Sequence, residues 1–444
     1  MSKVKIVRQE IGSIHELHGV NCAPYGKKDE GDQPLVDKIF GYAGIPRSRL
    51  HDACGSYGGS YFVDVPNIFR DFDADEYNPD SYDFHYTDEY IAAIINTGAQ
   101  IVYRLGITIE WGSKKYTSYP PKDFHKWAVI CEHIIRHYNE GWNNGFHYNI
   151  EYWEIWNEPE NPPMWQGTKE EFFELYKIAS IHLKKRFPEL KIGGYGSCGF
   201  YAVFRENMSA FHQSFVTYFD DFLKMVKEEG CPLDFYSWHI YTKHVDEVKA
   251  SAMYVREKLD VMGFVHTESH LNEWNYGPEG GGFMLLESLT GASFAAAAMI
   301  TMQENKVDMA QYYVLSAGSR YNGFINLRTL EFSPVIHVFA AFSCIFKAGK
   351  QLAIEKGEDA PYMLAADDGE QTFCLISNYQ KNAKNMELDV SDFAGKSLQL
   401  YELKDGSGFR EIQKKTVGED TMICLDCPAD SIYYLTISSS NDKQ

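Results

Sequence analysis

No stretch of this sequence holds the roughly eighteen or more consecutive apolar residues that a helix needs to cross a bilayer, so no membrane span is expected. The opening residues, MSKVKIVRQE, carry no apolar run and no small-residue cleavage site, and they are not read as a secretory leader. Positive charge is also scarce. Forty-two Lys and Arg face sixty-two Asp and Glu, a net charge of −20. Such a chain repels phosphate backbones, which argues against general nucleic-acid binding. The acidic residues are spread along the chain rather than gathered in a tail, so a disordered acidic segment is not expected. Two nucleotide signatures are missing: no G-x-G-x-x-G opens a helix after the first strand-like run, and no P-loop spacing occurs. The nine cysteines keep no regular spacing, and the single C-x-x-C, Cys424 to Cys427, has no second pair to complete a zinc site. These absences describe a reduced, cytoplasmic protein that needs no cofactor and no metal. Whether copies associate into a homo-oligomer is left open.

What is present is aromatic and periodic. Phe, Trp and Tyr make up 15% of 444 residues, enough for a large core or for faces that stack on flat ligands. Short apolar runs alternate eight times with helical patterns between about residues 10 and 345. The strand candidates are ELHGVN around Gly19, SRLHD at 48–52, QIVYRLG at 100–106 and IEYWEIWN at 150–157, then KIGGYG at 191–196, DFYSWHIY at 234–241, HLNEWN at 270–275 and AQYYVLS at 310–316. Several are apolar on both faces, as buried parallel strands are. Between them, TKEEFFELYKIASIHLKKRF carries Phe172, Leu175, Tyr176, Ala179 and Leu183 on one stripe, with Thr168 and Glu171 spaced as a capping box. Eight strand–helix alternations predict an α/β chain closed into a (β/α)8 TIM barrel.

After about residue 345 the pattern changes. PYMLAADDGEQTFCLISNY and KSLQLYELKDGSGFREI each read as two strands around an Asp- and Gly-bearing turn, and DSIYYLTISS alternates to the end. A C-terminal antiparallel β-sandwich domain over 346–444 is expected, joined by the N-terminal strand 1–9.

Catalytic residues of such barrels sit at the C-terminal ends of strands. Glu158 closes IEYWEIWNE and Glu273 closes SHLNE, each directly after an asparagine, Asn157 and Asn272. The chemistry that needs two carboxylates in one cleft is glycoside cleavage: one donates a proton to the leaving oxygen, the other attacks or activates water. Apolar surroundings raise a carboxyl pKa, and Trp153, Trp156 and Trp165 are placed to supply them to Glu158. The plain alternative for either glutamate is a helix cap or an ion pair with a lysine.

The segment EIWNEP resembles the acid/base strand of clan A glycoside hydrolases, and the wider pattern is similar to family 39, which includes β-xylosidases and α-L-iduronidases. YDFHYTDEYI resembles the segment opening the second helix there, PPKDFHKW the approach to the third, and 234–241 and 270–275 the later strands. The resemblance implies that Glu158 is the general acid/base and Glu273 the nucleophile of a retaining double displacement. It implies that Asn157 binds the sugar 2-hydroxyl, that His239 and Tyr241 contact sugar or nucleophile, and that Arg49 and His51 correspond to the second-strand Arg and His. Arg49 then either hydrogen-bonds Glu273 or forms a structural ion pair inside the barrel. Trp165 is counted among the substrate-binding residues.

The family's usual tryptophan at the eighth strand end is absent. Ser316 or Ala317 stands near that point, with Tyr312, Tyr321 and Phe324 as substitutes. Gly280–Gly282 reads as a mobile loop over the cleft. The leading reading is a retaining, β-xylosidase-like exo-glycosidase acting on an oligosaccharide or glycoside, with an α-L-arabinosidase or another clan A glycosidase next. Two other classes remain: a non-catalytic carbohydrate-binding protein on the same fold, and a metal-dependent hydrolase using His266, Glu268 and His270, which share one strand face.

Overall fold

The computed structural model describes residues 2–24, 33–53, 61–277, 283–315, 319–326, 329, 331–381, 384–419 and 421–439. The chain opens with strand β1 (Ser2–Ser13) and then enters the barrel. In order come β2 (Glu16–Asn21), α1 (Gln33–Ala43), β3 (Arg47–Leu50), α2 (Val65–Ile68), α3 (His85–Ile95), β4 (Gln100–Leu105), α4 (Phe124–Glu140), β5 (Tyr152–Ile155) and α5 (Lys169–Arg186). They continue with β6 (Lys191–Ser197), α6 (Ala210–Glu229), β7 (Phe235–Thr242), α7 (Val245–Met262), β8 (Glu268–Tyr276), α8 (Leu289–Glu304), β9 (Met309–Tyr312) and α9 (Pro334–Ala348). Strands β2 to β9 pair in parallel, and β9 returns to β2, closing an eight-stranded barrel. Each expected strand lies on one of these eight.

The local sequence explains the helices. Thr168 accepts from the Glu171 amide at 3.1 Å, and Glu171 accepts from the Thr168 amide at 2.7 Å, so the predicted capping box starts α5. Glu170 and Glu171 lie in its first turn and Lys184, Lys185 and Arg186 in its last, the arrangement that complements the helix dipole. Asp123 caps α4, and Gly141, at φ 74°, ends it in the left-handed conformation glycine adopts most easily. Helix α8 is buried nearly all round because it lies between barrel and C-terminal sheet.

The C-terminal strands are β10 (Lys350–Lys356), β11 (Tyr362–Asp367), β12 (Gln371–Ser377), β13 (Asn385–Asp389), β14 (Ser397–Lys404), β15 (Gly408–Thr416), β16 (Met422–Asp426) and β17 (Ile432–Ser438). With β1 they form one nine-stranded sheet in the order β15-β14-β17-β12-β11-β10-β1-β13-β16. The two anticipated hairpins are β11–β12 and β14–β15. Asp368 shapes the first turn by accepting from the amides of Glu370 and Gln371. The sandwich character comes from one sheet curling on itself: Val4, Ile6, Met363, Leu388, Leu400, Ile423 and Leu435, from both halves, share one apolar core. β1 pairs antiparallel with β10 and parallel with β13. The other face, through Leu364, Ala366 and Leu375, packs onto α8 and α9. No described helix is long and apolar enough to cross a membrane.

Candidate active site

The carboxyl-terminal ends of the barrel strands gather a polar cluster around Glu158 and Glu273. Strand β7 supplies three residues by simple alternation, because residues two apart share a face. Ser237 Oγ donates to Glu154 at 2.6 Å, His239 Nδ1 lies 2.8 Å from Glu158 Oε1 and 3.6 Å from Glu273 Oε2, and the Tyr241 hydroxyl donates to Glu273 Oε2 at 2.6 Å.

Strand β8 does not alternate simply. Against β7, Trp238 pairs with Leu271 and the next residue, His239, pairs with Glu273, so Asn272 is the extra residue of a bulge. A bulge turns two successive side chains toward one side. Asn272 Nδ2 donates into the lumen to Glu154 Oε1 at 2.6 Å, and Glu273 reaches the cleft above it. Asn272 therefore holds a barrel carboxylate rather than facing the cleft beside Glu273. At the end of β5 the alternation is broken differently, by positive φ at Trp156 (70°) and Glu158 (43°). Asn157 and Glu158 consequently face the same cleft, and the Glu158 amide is held by the carbonyls of Tyr195 and Gly196.

Arg49, fully buried, ties these elements together. Its Nε donates to Glu154 at 2.7 Å, its Nη1 to Glu273 at 2.8 Å and to Asn21 at 3.1 Å, and its Nη2 to Asn157 at 2.6 Å. Both sequence-based alternatives for Arg49 are realised at once: it bonds Glu273 and makes a lumen ion pair with Glu154. Burial works against its charge, and Glu154 and Glu273 outweigh that, leaving its pKa above the ordinary value. Burial likewise pushes the Glu154 carboxyl up, but Arg49, Ser237 and Asn272 hold it below the usual range. Gly196, at φ 64°, lies under this cluster; a Cβ there would meet Asn157 Oδ1 at 2.8 Å and Arg49 Nη2 at 3.1 Å, so no larger residue fits without moving the site.

His51 stands behind Glu273. Its Nδ1 accepts from Arg104 Nε at 3.2 Å, which leaves the proton on Nε2, 3.6 Å from Glu273 and 3.3 Å from Asp52. Burial, then Arg49 and Arg104, push its pKa well below the ordinary value, so it is neutral. Asp52 is raised to about 6 by burial and by the neighbouring Glu273 charge, and the Tyr313 hydroxyl donates to it at 2.9 Å.

Two expectations change. Trp165 is not in the cleft: it is buried against Trp156 and Phe172, and its indole N–H donates to the Thr168 carbonyl at 2.9 Å. Nor do the tryptophans set the state of Glu158. Burial does push that carboxyl up, but His239, Asn161 and Cys198 outweigh it and hold Glu158 below its usual value. The carboxyl that is raised is Glu160, two residues on, to about 8, first by burial and then by the Glu158 charge. Its Oε1 accepts from the Cys198 amide at 2.7 Å, and its Oε2 is buried without a partner.

The aromatic substitutes at the eighth strand sort themselves. Tyr312 and Phe324 are core residues packed with Phe339, whereas Tyr321 groups with Tyr241 and Tyr313 beside the cleft. Tyr313, which the sequence reading passed over, reaches Asp52. Ser316, Ala317 and the Gly280–Gly282 run lie outside the described residues. His270 is at the opposite end of β8 from Glu273, where its Nε2 bonds Glu268, itself paired with Lys191. Among the described residues, the group with metal-ligand spacing is instead Glu158, His239 and Glu273, with one donor atom from each within 4.8 Å of the others. The Glu158–His239 contact in it is already a hydrogen bond. Cys424 and Cys427 are free thiols.

Residues 58–274 match the family model for glycosyl hydrolases family 39, a span that holds both glutamates, His239 and Tyr241. That span is just under half of the chain and supports assignment to the family. A relative from Geobacillus stearothermophilus described as a β-xylosidase is 26% identical over 216 residues, which cover 45% of this chain and 38% of that protein. The chain thus matches well under half the length of this relative. Among solved structures, a glucosidase from Croceicoccus marinus has a TM-score of 0.80 at 22% identity, covering 99% of both chains. A monomeric β-xylosidase from Caulobacter crescentus has a TM-score of 0.73 at 15% identity, covering 99% of this chain and 100% of that one. These likenesses establish the barrel-plus-sheet fold.

Proposed function

We propose that this protein is a retaining glycoside hydrolase, a β-xylosidase-like exo-enzyme in which Glu158 is the acid/base and Glu273 the nucleophile. The observation that carries the reading is the spacing of the two carboxyl groups, whose near oxygens lie within 4.8 Å of one another across His239. Retaining pairs stand about 5–5.5 Å apart, while inverting pairs leave roughly 6.5–9.5 Å for a water. Xylose as the sugar is supported by the β-xylosidases among the family relatives.

The surroundings suit the two roles. Glu273 accepts from Arg49 at one oxygen and from Tyr241 at the other, so two donors aim it. It attacks the anomeric carbon while Glu158 protonates the departing oxygen, and Glu158 then takes the proton of the water that releases the sugar. Substrate entry excludes water, which raises Glu158 toward the protonated form, and the Glu273 charge acts in the same direction. Asn157 presents its amide N–H to the sugar 2-hydroxyl, since Arg49 occupies its Oδ1. The free thiols among the described cysteines support a reducing, cytoplasmic location.

The test is hydrolysis of a panel of aryl pentosides and hexosides, with NMR of the first-formed anomer. Retention with preference for β-xylosides is expected. Inversion overturns the mechanism, preference for α-L-arabinosides overturns the sugar, and sugar binding without turnover on any substrate indicates a carbohydrate-binding protein.

A further inference from the structure

A cleft of about 380 Å³ is built from the loop after β3 and the loop after β4, which follow the carboxyl-terminal ends of neighbouring barrel strands. That volume falls in the range of small-ligand sites, roughly 300–1,000 Å³. Tyr61, Asp64, Asn67, Glu110, Trp111 and Tyr116 line it. Trp111 is 75% exposed and Tyr116 70% exposed, on a loop where water would favour smaller polar residues. Large aromatic faces left open on a fixed loop mark a surface that meets a ligand.

The loop is fixed by its own chemistry. The Glu110 carboxylate accepts from three successive backbone amides, Tyr116, Thr117 and Ser118, at 3.0 to 3.2 Å. Burial pushes Glu110 up, and hydrogen bonds from Ser118 and these amides outweigh it, holding the carboxyl below its usual value. Lys115 closes the ring by donating to the Glu110 carbonyl. A carboxylate in such a nest holds the residues between Glu110 and Tyr116 as a rigid arch. Trp111 and Tyr116 are thereby presented with little conformational entropy left to lose on binding.

The position selects one side of the reaction. The Gln166 amide donates to the Ser118 carbonyl at 2.8 Å, and the Glu110 amide to the Pro163 carbonyl at 3.2 Å. The aromatic loop is therefore bound directly to the segment that follows Glu158. On the floor, Asp64 accepts from Arg104 at 2.6 Å, and Arg104 donates to His51 behind Glu273. In a retaining glycosidase, the group beside the acid/base is the one that departs.

We propose that this cleft is the leaving-group subsite, with Trp111 and Tyr116 stacking on the flat faces of the sugar ring that carries the scissile oxygen. The assignment rests on the glycosidase reading. It is tested with two substrates that share β-xylose and differ in what leaves: xylobiose, which presents a sugar ring to the cleft, and β-xylosyl fluoride, which presents none. Trp111→Ala and Tyr116→Ala are each expected to lower the ratio of kcat/KM for xylobiose to that for the fluoride by about tenfold, the loss of one good stacking contact. A ratio that moves by less than about twofold in both variants, while wild type turns over both substrates, overturns the subsite and leaves the glycosidase reading standing. Wild type that cleaves neither substrate overturns both. Both variants change exposed side chains, and a circular-dichroism melt confirms the fold for each.

Discussion

His239 Nδ1 lies 2.8 Å from Glu158 Oε1, and with Asn161 and Cys198 it holds Glu158 below its usual value against the upward push of burial. The acid step needs Glu158 protonated, so activity falls as pH rises through its pKa. Because His239 lowers that pKa, His239→Ala should raise it and carry the alkaline limb of the kcat/KM profile to higher pH. An alkaline limb that stays in place would remove His239 from control of the proton.

Glu273→Gln should lower turnover by at least about 10⁴-fold on every substrate, as loss of a nucleophile does. Glu158→Gln should cost about 10²–10⁴-fold on substrates with poor leaving groups and much less on dinitrophenyl glycosides, which depart with little protonation. Equal losses on both substrates would remove the acid role from Glu158.

Arg49 is the cation shared by Glu154 and Glu273 inside the barrel. Arg49→Met leaves two carboxylates without it, and a loss of about 3–5 kcal/mol in unfolding free energy is expected from urea titration. A loss under about 1 kcal/mol would mean the lumen rearranges to satisfy both acids.

Glu160 makes a pH-dependent contribution to stability. Its pKa is about 8 in the fold, against an ordinary 4.5, because of burial and then the Glu158 charge. Folding thus favours its protonated form. The contribution is full below about 4.5 and is lost as pH rises toward about 8. Glu160→Gln should flatten the decline in unfolding free energy over that window. An unchanged pH–stability curve would show that water reaches the Glu160 carboxyl.

Much of the architecture was legible because each barrel strand is a short apolar run bounded by turn-forming residues, and the N–E pairs stand just after β5 and in the carboxyl-terminal part of β8. The capping box of α5 and the two C-terminal hairpins are local in the same sense. Their signals lie within a few residues of one another, where periodicity and turn chemistry act.

The rest was decided in three dimensions. Glu273 takes its donors from Arg49, 224 residues away, and Tyr241, 32 residues away. Nothing in the local pattern of β8 reveals the bulge at Asn272 that lets both it and Glu273 turn inward, because a bulge is defined by register against β7. Glu154 carried a readable hint, a charge in the middle of an apolar strand, but its partners Arg49, Ser237 and Asn272 come from three other strands. Tyr313 took the place beside the cleft and Trp165 went into the core, a choice between exposed and buried faces that composition cannot make. The sequence by itself determined which segments are strands and which acids stand at their ends. Closure of the barrel alone decided their spacing and their partners, because those depend on distances between residues far apart in the chain.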